Sequence, residues 1–136
     1  MLEVNIDQQR LYAILKRVLQ RHASEIEALN KSQLSEGLRS DDTPLPAYSK
    51  GYLKTRRKHG RPIAPMDLNL TGESYKQWFT TFFESYMNIG STSGKLAIQE
   101  LRFGPEIYGL NEENLNTVRE LVMDEFVEEF IKDTFG

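Results

Sequence analysis

Tyr75-Lys76-Gln77-Trp78-Phe79-Thr80-Thr81-Phe82-Phe83-Glu84-Ser85-Tyr86-Met87-Asn88-Ile89-Gly90 is the stretch that decides between an all-helical and a mixed fold. Its rings at 75, 78, 79, 82, 83 and 86 fit a helical stripe, and spacing alone slightly favours a helix. Residues 78–83 are also an aromatic and Thr-rich run of the kind that suits a pleated, half-buried surface, and 86–90 read as a second strand one tight turn away. The expectation is one helical turn after Gly72, a strand over 78–83 and a hairpin partner behind it.

Outward from this segment the chain is helical at both ends. Over 6–29 the apolar residues Leu11, Leu15, Val18, Ile26 and Leu29 recur at helical spacing, with Asp7 near the positive end of the helix dipole. The pattern predicts one long amphipathic helix that frays over 30–37, where Ser, Gln and Gly accumulate. Pro44 and Pro46 make 40–46 a loop, because each lacks a backbone donor and pushes its predecessor out of the helical region. Residues 47–59 predict a short helix with Tyr48, Tyr52 and Leu53 on one side and cations on the other, ended by Gly60. Pro62 and Pro65 imply an extended connection, docked on the core by Leu68 and Leu70.

Residues 90–94 read as a loop and 95–103 as a short helix with Leu96, Leu101 and Phe103 inward. The last helix has Asn111 as its N-cap and Glu112 and Glu113 in its positive first turn, followed by Leu115, Val118, Val122, Phe126 and Phe130 at helical spacing. The predicted class is α+β: a small antiparallel sheet or hairpin flanked by a long N-terminal helix, short middle helices and a long C-terminal helix. One domain over 1–136 is expected, divided into an N-terminal helix region (1–36), a loop and basic segment (37–66), and a β segment with the C-terminal helix (67–136).

A chain of 136 residues with 39% hydrophobic and 27% charged residues has the composition of a globular protein with one modest core. Its apolar runs fall short of the roughly 18 residues a membrane span needs, and the N-terminus lacks the basic-then-apolar order of a signal peptide, so a cytosol-like compartment and no membrane partner are expected. With no cysteine, disulfides, thiolate zinc sites and cysteine nucleophiles are excluded. The net charge of −3 is unevenly spread: six Lys or Arg and His59 lie between Lys50 and Arg61 without an acid, whereas nine acids face only Arg119 and Lys132 from Glu106 onward. Such a dipolar chain can pair head to tail with its own copies or present different faces to two neighbours; both ends can equally be solvated faces.

Chemistry-bearing constellations are few. Gly90-Ser91-Thr92-Ser93-Gly94-Lys95 has three residues between its glycines and Leu96 after the lysine. A phosphate-binding loop needs four residues there, then a Ser or Thr. His22 and Glu25 have the spacing of paired metal ligands but lack further ligands in the pattern, and a partly buried histidine is the favoured reading. No carboxylate pair stands out as acid and base. The expectation is therefore no catalytic residue, cofactor, metal or small-molecule substrate. The basic set Lys50, Lys54, Arg56, Arg57, Lys58 and Arg61, with Tyr48 and Tyr52 beside it, suits either an acidic protein surface or nucleic acid. A pI near 5.5 favours the protein surface. Trp78, Phe79, Phe82 and Phe83 are core by default, yet four large rings in six residues exceed what one small domain hides on one side, which makes some of them candidates for an inter-subunit contact.

The order of short motifs carries a resemblance. Tyr48-Ser49-Lys50-Gly51-Tyr52 and the cationic stretch precede Asp67-Leu68-Asn69-Leu70-Thr71-Gly72, then Tyr75 and Lys76. Asn88-Ile89-Gly90-Ser91 leads to Phe103-Gly104, Ile107-Tyr108-Gly109-Leu110-Asn111 and the terminal helix. From Tyr48 onward this resembles small structural proteins encoded beside the head and tail genes of tailed bacteriophages and prophages, especially those infecting Bacteroidetes. It is more distantly similar to neck and tail-completion (head-tail connector) proteins with a Leu-x-x-Thr-Gly element, although their Tyr-Ala and Glu-x-Gly-Thr signature is replaced here by 103–109. The resemblance implies a small twisted sheet flanked by helices, in ring-like copies at the portal, neck or tail tube of a virion assembled in the host bacterial cytoplasm. DNA contact through the basic segment is a further possible partner. In that setting Leu70, Thr71, Gly72, Gly104, Tyr108, Gly109 and Leu110 are scaffold residues: the glycines permit backbone denied to other residues, Thr71 caps a turn, and Tyr108 and Leu110 anchor the loop before the last helix.

Overall fold

The computed structural model describes residues 7–61, 66, 77–83 and 86–136. Side-chain caps start four of its helices. Asp7 accepts from the Gln9 N–H at 3.0 Å to open α1 (Gln8–Arg21), and Ser49 accepts from Tyr52 at 3.3 Å to open α3 (Lys50–Lys58). Ser93 and Asn111 do the same for α4 (Gly94–Phe103) and α5 (Glu112–Phe135), each satisfying a backbone donor the helix itself leaves free. No helix among the described residues is long and apolar enough to cross a membrane.

The expected single N-terminal helix is two. The ladder breaks at His22, after which α2 (Ala23–Ser35) begins. Nor does the chain fray over 30–37. Helix α2 holds its pitch to Ser35, and Gly37, at φ 77°, closes it with bonds from Gly37 N to Leu34 O and from Leu38 N to Gln33 O. That paired closure satisfies the last carbonyls, and Gly60 (φ 66°) ends α3 in the same way.

The ambiguous aromatic stretch is a hairpin. Strands β1 (Trp78–Phe82) and β2 (Met87–Ser91) pair antiparallel, with Phe79 opposite Gly90 and Thr81 opposite Asn88. Strand alternation sorts the rings by face, which a helix would not do: Trp78 turns inward while Phe79 and Phe83 turn outward. Thr80, on the inward face, donates to Glu27 of α2 at 2.7 Å. The fold is thus α+β, a two-stranded antiparallel sheet held among helices, as the sequence predicts.

Among the described residues two apolar clusters make up most of the core. One joins Leu34, Leu45, Tyr48, Met66, Trp78, Leu96 and Ile107; the other joins Val18 and Ile26 to Leu110, Val118 and Val122. Ile89 touches both. Within α4, Leu96 is fully buried and Phe103 half-buried, but Leu101, expected inward, is 90% exposed because it falls on the far side of the turn from Leu96. The expectations for Leu68, Leu70, Thr71, Gly72 and the helical turn after Gly72 lie outside the described residues.

Candidate interaction site

The segment 104–111 is held by two amides on one face of α2. Asn30 and Gln33 lie three residues apart, so they point the same way, and both are buried in the stripe that carries Ile26 and Leu34. Asn30 donates to Ile107 O at 3.1 Å and accepts from Gly109 N at 2.8 Å. Gln33 donates to Gly109 O at 3.1 Å and accepts from Asn111 N at 2.8 Å and from the Asn114 side chain at 3.0 Å. Two side chains therefore satisfy backbone groups of an irregular segment that makes no sheet. On the other side, Ser40 N donates to Glu106 O at 2.8 Å, and the Asn111 amide reaches Asp42 at 2.9 Å.

Gly109 carries φ 100°, and a Cβ there would sit 3.4 Å from Ser40 Cβ. Gly104, at φ 94°, turns the chain between α4 and the short 3-10 turn Pro105–Ile107. Leu110 is buried, and Tyr108 meets Trp78 edge-on at 5.4 Å. Burial pushes the Tyr108 phenol up, with the Glu100 charge adding to it.

This held loop forms one wall of an open groove of about 800 Å³ whose other wall is the hairpin; Phe79, Phe83, Met87, Tyr108 and Leu115 are among its lining residues. The outward hairpin face is aromatic: Phe79 is 44%, Phe83 40% and Tyr86 59% exposed. Each of these rings packs against a neighbour. Phe83 and Tyr86 stack at 4.5 Å, and the Phe79 ring lies on Gly90 so closely that a Cβ there would come within 2.9 Å of it. A ring resting on a cross-strand glycine is one of the devices that pin strand register. Of the four rings singled out in the sequence, Phe79 and Phe83 are exposed, Phe82 is half-buried, and Trp78 is core.

The basic segment divides in the same manner. Lys50, Lys54, Arg57 and Lys58 occupy one exposed face of α3, and Arg61 is half-buried. Arg56 departs from the expected surface set: it is fully buried, with its guanidinium over the Tyr48 ring at 4.4 Å. A planar guanidinium stacks on an aromatic face while its stem packs as an apolar group, which is how a cation enters the core here.

A further titratable cluster among the described residues joins the α1–α2 junction to α5. His22 Nδ1 lies 3.1 Å from Glu25 and Nε2 2.9 Å from Glu125, and hydrogen bonding to Glu125 first, then Glu25, raises the imidazole above its ordinary value. Among the described residues no three His or acidic side chains gather as a metal site. In the glycine-lysine stretch Gly90 and Ser91 are strand residues and Ser93 is the cap of α4.

Sequence reading missed Asn30 and Gln33. Their signal was present, as two amides inserted at i and i+3 into an apolar stripe, a placement that requires buried partners. Comparison with protein-family models, with curated proteins and with solved structures finds no match.

Proposed function

We propose that this chain is a non-enzymatic structural subunit that builds a larger particle by surface contacts, specifically a neck, head-tail connector or tail-completion subunit of a tailed-phage virion. In this reading it forms a ring and meets portal, connector or tail-tube protein. The observation that carries the assembly reading is the outward hairpin face, where Phe79, Phe83 and Tyr86 stand in solvent beside an open groove. Aromatics are enriched at protein interfaces, and rings already packed against a neighbour in the free chain lose less freedom on docking. The virion assignment rests on the resemblance carried by 67–72 and 103–111. Separation of cations on α3 from acids on α5 supports head-to-tail contacts of the kind that close rings.

Sedimentation of the purified chain, alone and with portal or tail-tube protein, tests the proposal. The expected result is a complex that weakens when Phe79 and Phe83 become Ser. A chain that binds neither itself nor any virion component overturns it. A second reading, a nucleic-acid module, is favoured by the four cations on one face of α3. It requires DNA affinity that falls steeply with salt and collapses when Lys54, Arg57 and Lys58 become Ala. Affinity indifferent to that triple change removes it.

A further inference from the structure

Helix α5 is amphipathic twice over. Toward the core it places Val118 and Val122, with Glu125 and Glu129 reaching Arg21 and Arg17 of α1. Away from that face Met123, Val127, Ile131 and Phe135 recur every four residues as one ridge, and they are 52%, 44%, 50% and 63% exposed. Directly beside this ridge runs another with the same spacing, Glu120, Asp124 and Glu128, all exposed and without an ion pair among the described residues. An apolar ridge flanked by an acidic one calls for a partner helix that brings both greasy stems and positive heads.

The chain itself carries such an element. On α3, Lys50, Lys54 and Lys58 form an exposed ridge of three with Arg57 alongside, again without an ion pair among the described residues. Positions four apart rise about 6 Å along a helix, so three lysines on α3 and three acids on α5 repeat at the same pitch. A lysine lays its methylene stem on apolar surface while its ammonium reaches beyond it, so these side chains can cover Met123, Val127 and Ile131 and still meet the carboxylates.

We infer that the cationic ridge of α3 docks on the apolar and acidic ridges of α5 of a second copy of this chain, a heterologous contact that repeats from copy to copy. The inference rests on the assembly reading above and names its interface. Because the two surfaces differ, each copy keeps one free half-site, and the contact propagates until a ring closes.

Three full-length chains test it by sedimentation velocity: the wild type, an α3 reversal (Lys50→Glu, Lys54→Glu, Lys58→Glu) and an α5 reversal (Glu120→Lys, Asp124→Lys, Glu128→Lys). The wild type is expected to self-associate, and each reversal to raise the dissociation constant at least about tenfold. An equimolar mixture of the two reversals is expected to recover association with the two variants alternating, since the altered ridges complement each other and so do the unaltered ones. An α5 reversal that associates like the wild type overturns the pairing, as does a mixture that stays monomeric. The wild type alone also decides, independently of how the variants fold: if it remains monomeric up to about 1 mM yet binds portal or tail-tube protein, this interface falls and the assembly reading stands. If it binds neither itself nor those proteins, both fall.

Discussion

Two regions tie α5 and its approach to the N-terminal helices by opposite means. Around 104–111, neutral amides from α2 hold the backbone in full burial, with Asn30 fully buried and Gln33 2% exposed. Along α1 and α5, by contrast, Arg17 and Arg21 reach Glu129 at 2.9 Å each from side chains that are 45% and 46% exposed. Distances in the two regions are alike, but their energetic worth is not. A buried amide that loses its partner strands polar groups that water cannot reach, whereas an exposed ion pair exchanges its partner for solvent and salt. Burial, more than bond length, ranks these contacts.

That ranking can be broken by measurement, beginning with the cradle. Replacing Asn30 with Ala leaves Ile107 O and Gly109 N without their partner and is expected to cost about 2 to 4 kcal/mol in urea unfolding. Gln33→Ala falls in the same range, and because both side chains hold one loop, the double variant is expected to cost less than the sum. A loss below about 0.5 kcal/mol for either would place the cradle with the surface pairs and defeat the comparison.

Next comes the backbone that the cradle grips. Gly109→Ala keeps every amide but forces a Cβ onto a residue at φ 100°, with an expected loss of about 1 to 2 kcal/mol. Neutral behaviour would mean that the loop relaxes freely and is less tightly fixed than its hydrogen bonds imply.

His22 sits between the two regimes, with a side chain 12% exposed between Glu25 of α2 and Glu125 of α5, itself 3.6 Å from Arg21. Its folded-state pKa is raised, chiefly by the hydrogen bond to Glu125. The charged ring therefore adds stability that is fully present below its unfolded value of about 6.5 and is lost as pH rises through the higher folded value. Melting curves between about pH 5 and pH 8 should show the wild-type advantage over His22→Gln shrinking as pH rises. An advantage that grows with pH would reverse the assigned sign.

The smallest effect belongs to the exposed ladder. Arg17→Ala removes contacts to Glu129 and Asp133, and its cost is expected to disappear at about 1 M salt, where screening reaches within about 3 Å. Glu129 is held below its usual range, mainly by hydrogen bonding to Arg21, so its contribution is present above the ordinary carboxylate pKa and is lost as pH falls through the depressed one. A salt-insensitive loss at Arg17 would show that packing of its stem, not charge, joins α1 to α5.

Much of this architecture was legible in the residues. Asp7, Gly60 and Asn111 mark helix ends because capping and left-handed backbone are local chemistry. Within the hairpin, the competition between a helical stripe and a Thr-rich aromatic run resolved toward strands, since pairing lets Trp78 enter the core while Phe79 rests on Gly90. The break at His22 was not legible, because nothing local interrupts the pattern there; the ring is turned toward Glu125, 103 residues away in the chain. Arg56 and its neighbour Arg57 look alike in the sequence, and only the position of Tyr48 beneath one of them separates a core cation from a surface one.

By itself, the sequence determined where α3 and α5 begin and end, that the aromatic segment can pair as a hairpin, and that positive and negative charge lie on different elements. These follow from periodicity, caps and composition, which act over a few residues. Tertiary structure alone decided which amides became a cradle, which aromatic and basic side chains stayed in solvent, and which face of α5 was left uncovered. Those outcomes depend on what each helix meets across the core, and a neighbour distant in the chain is invisible to local pattern.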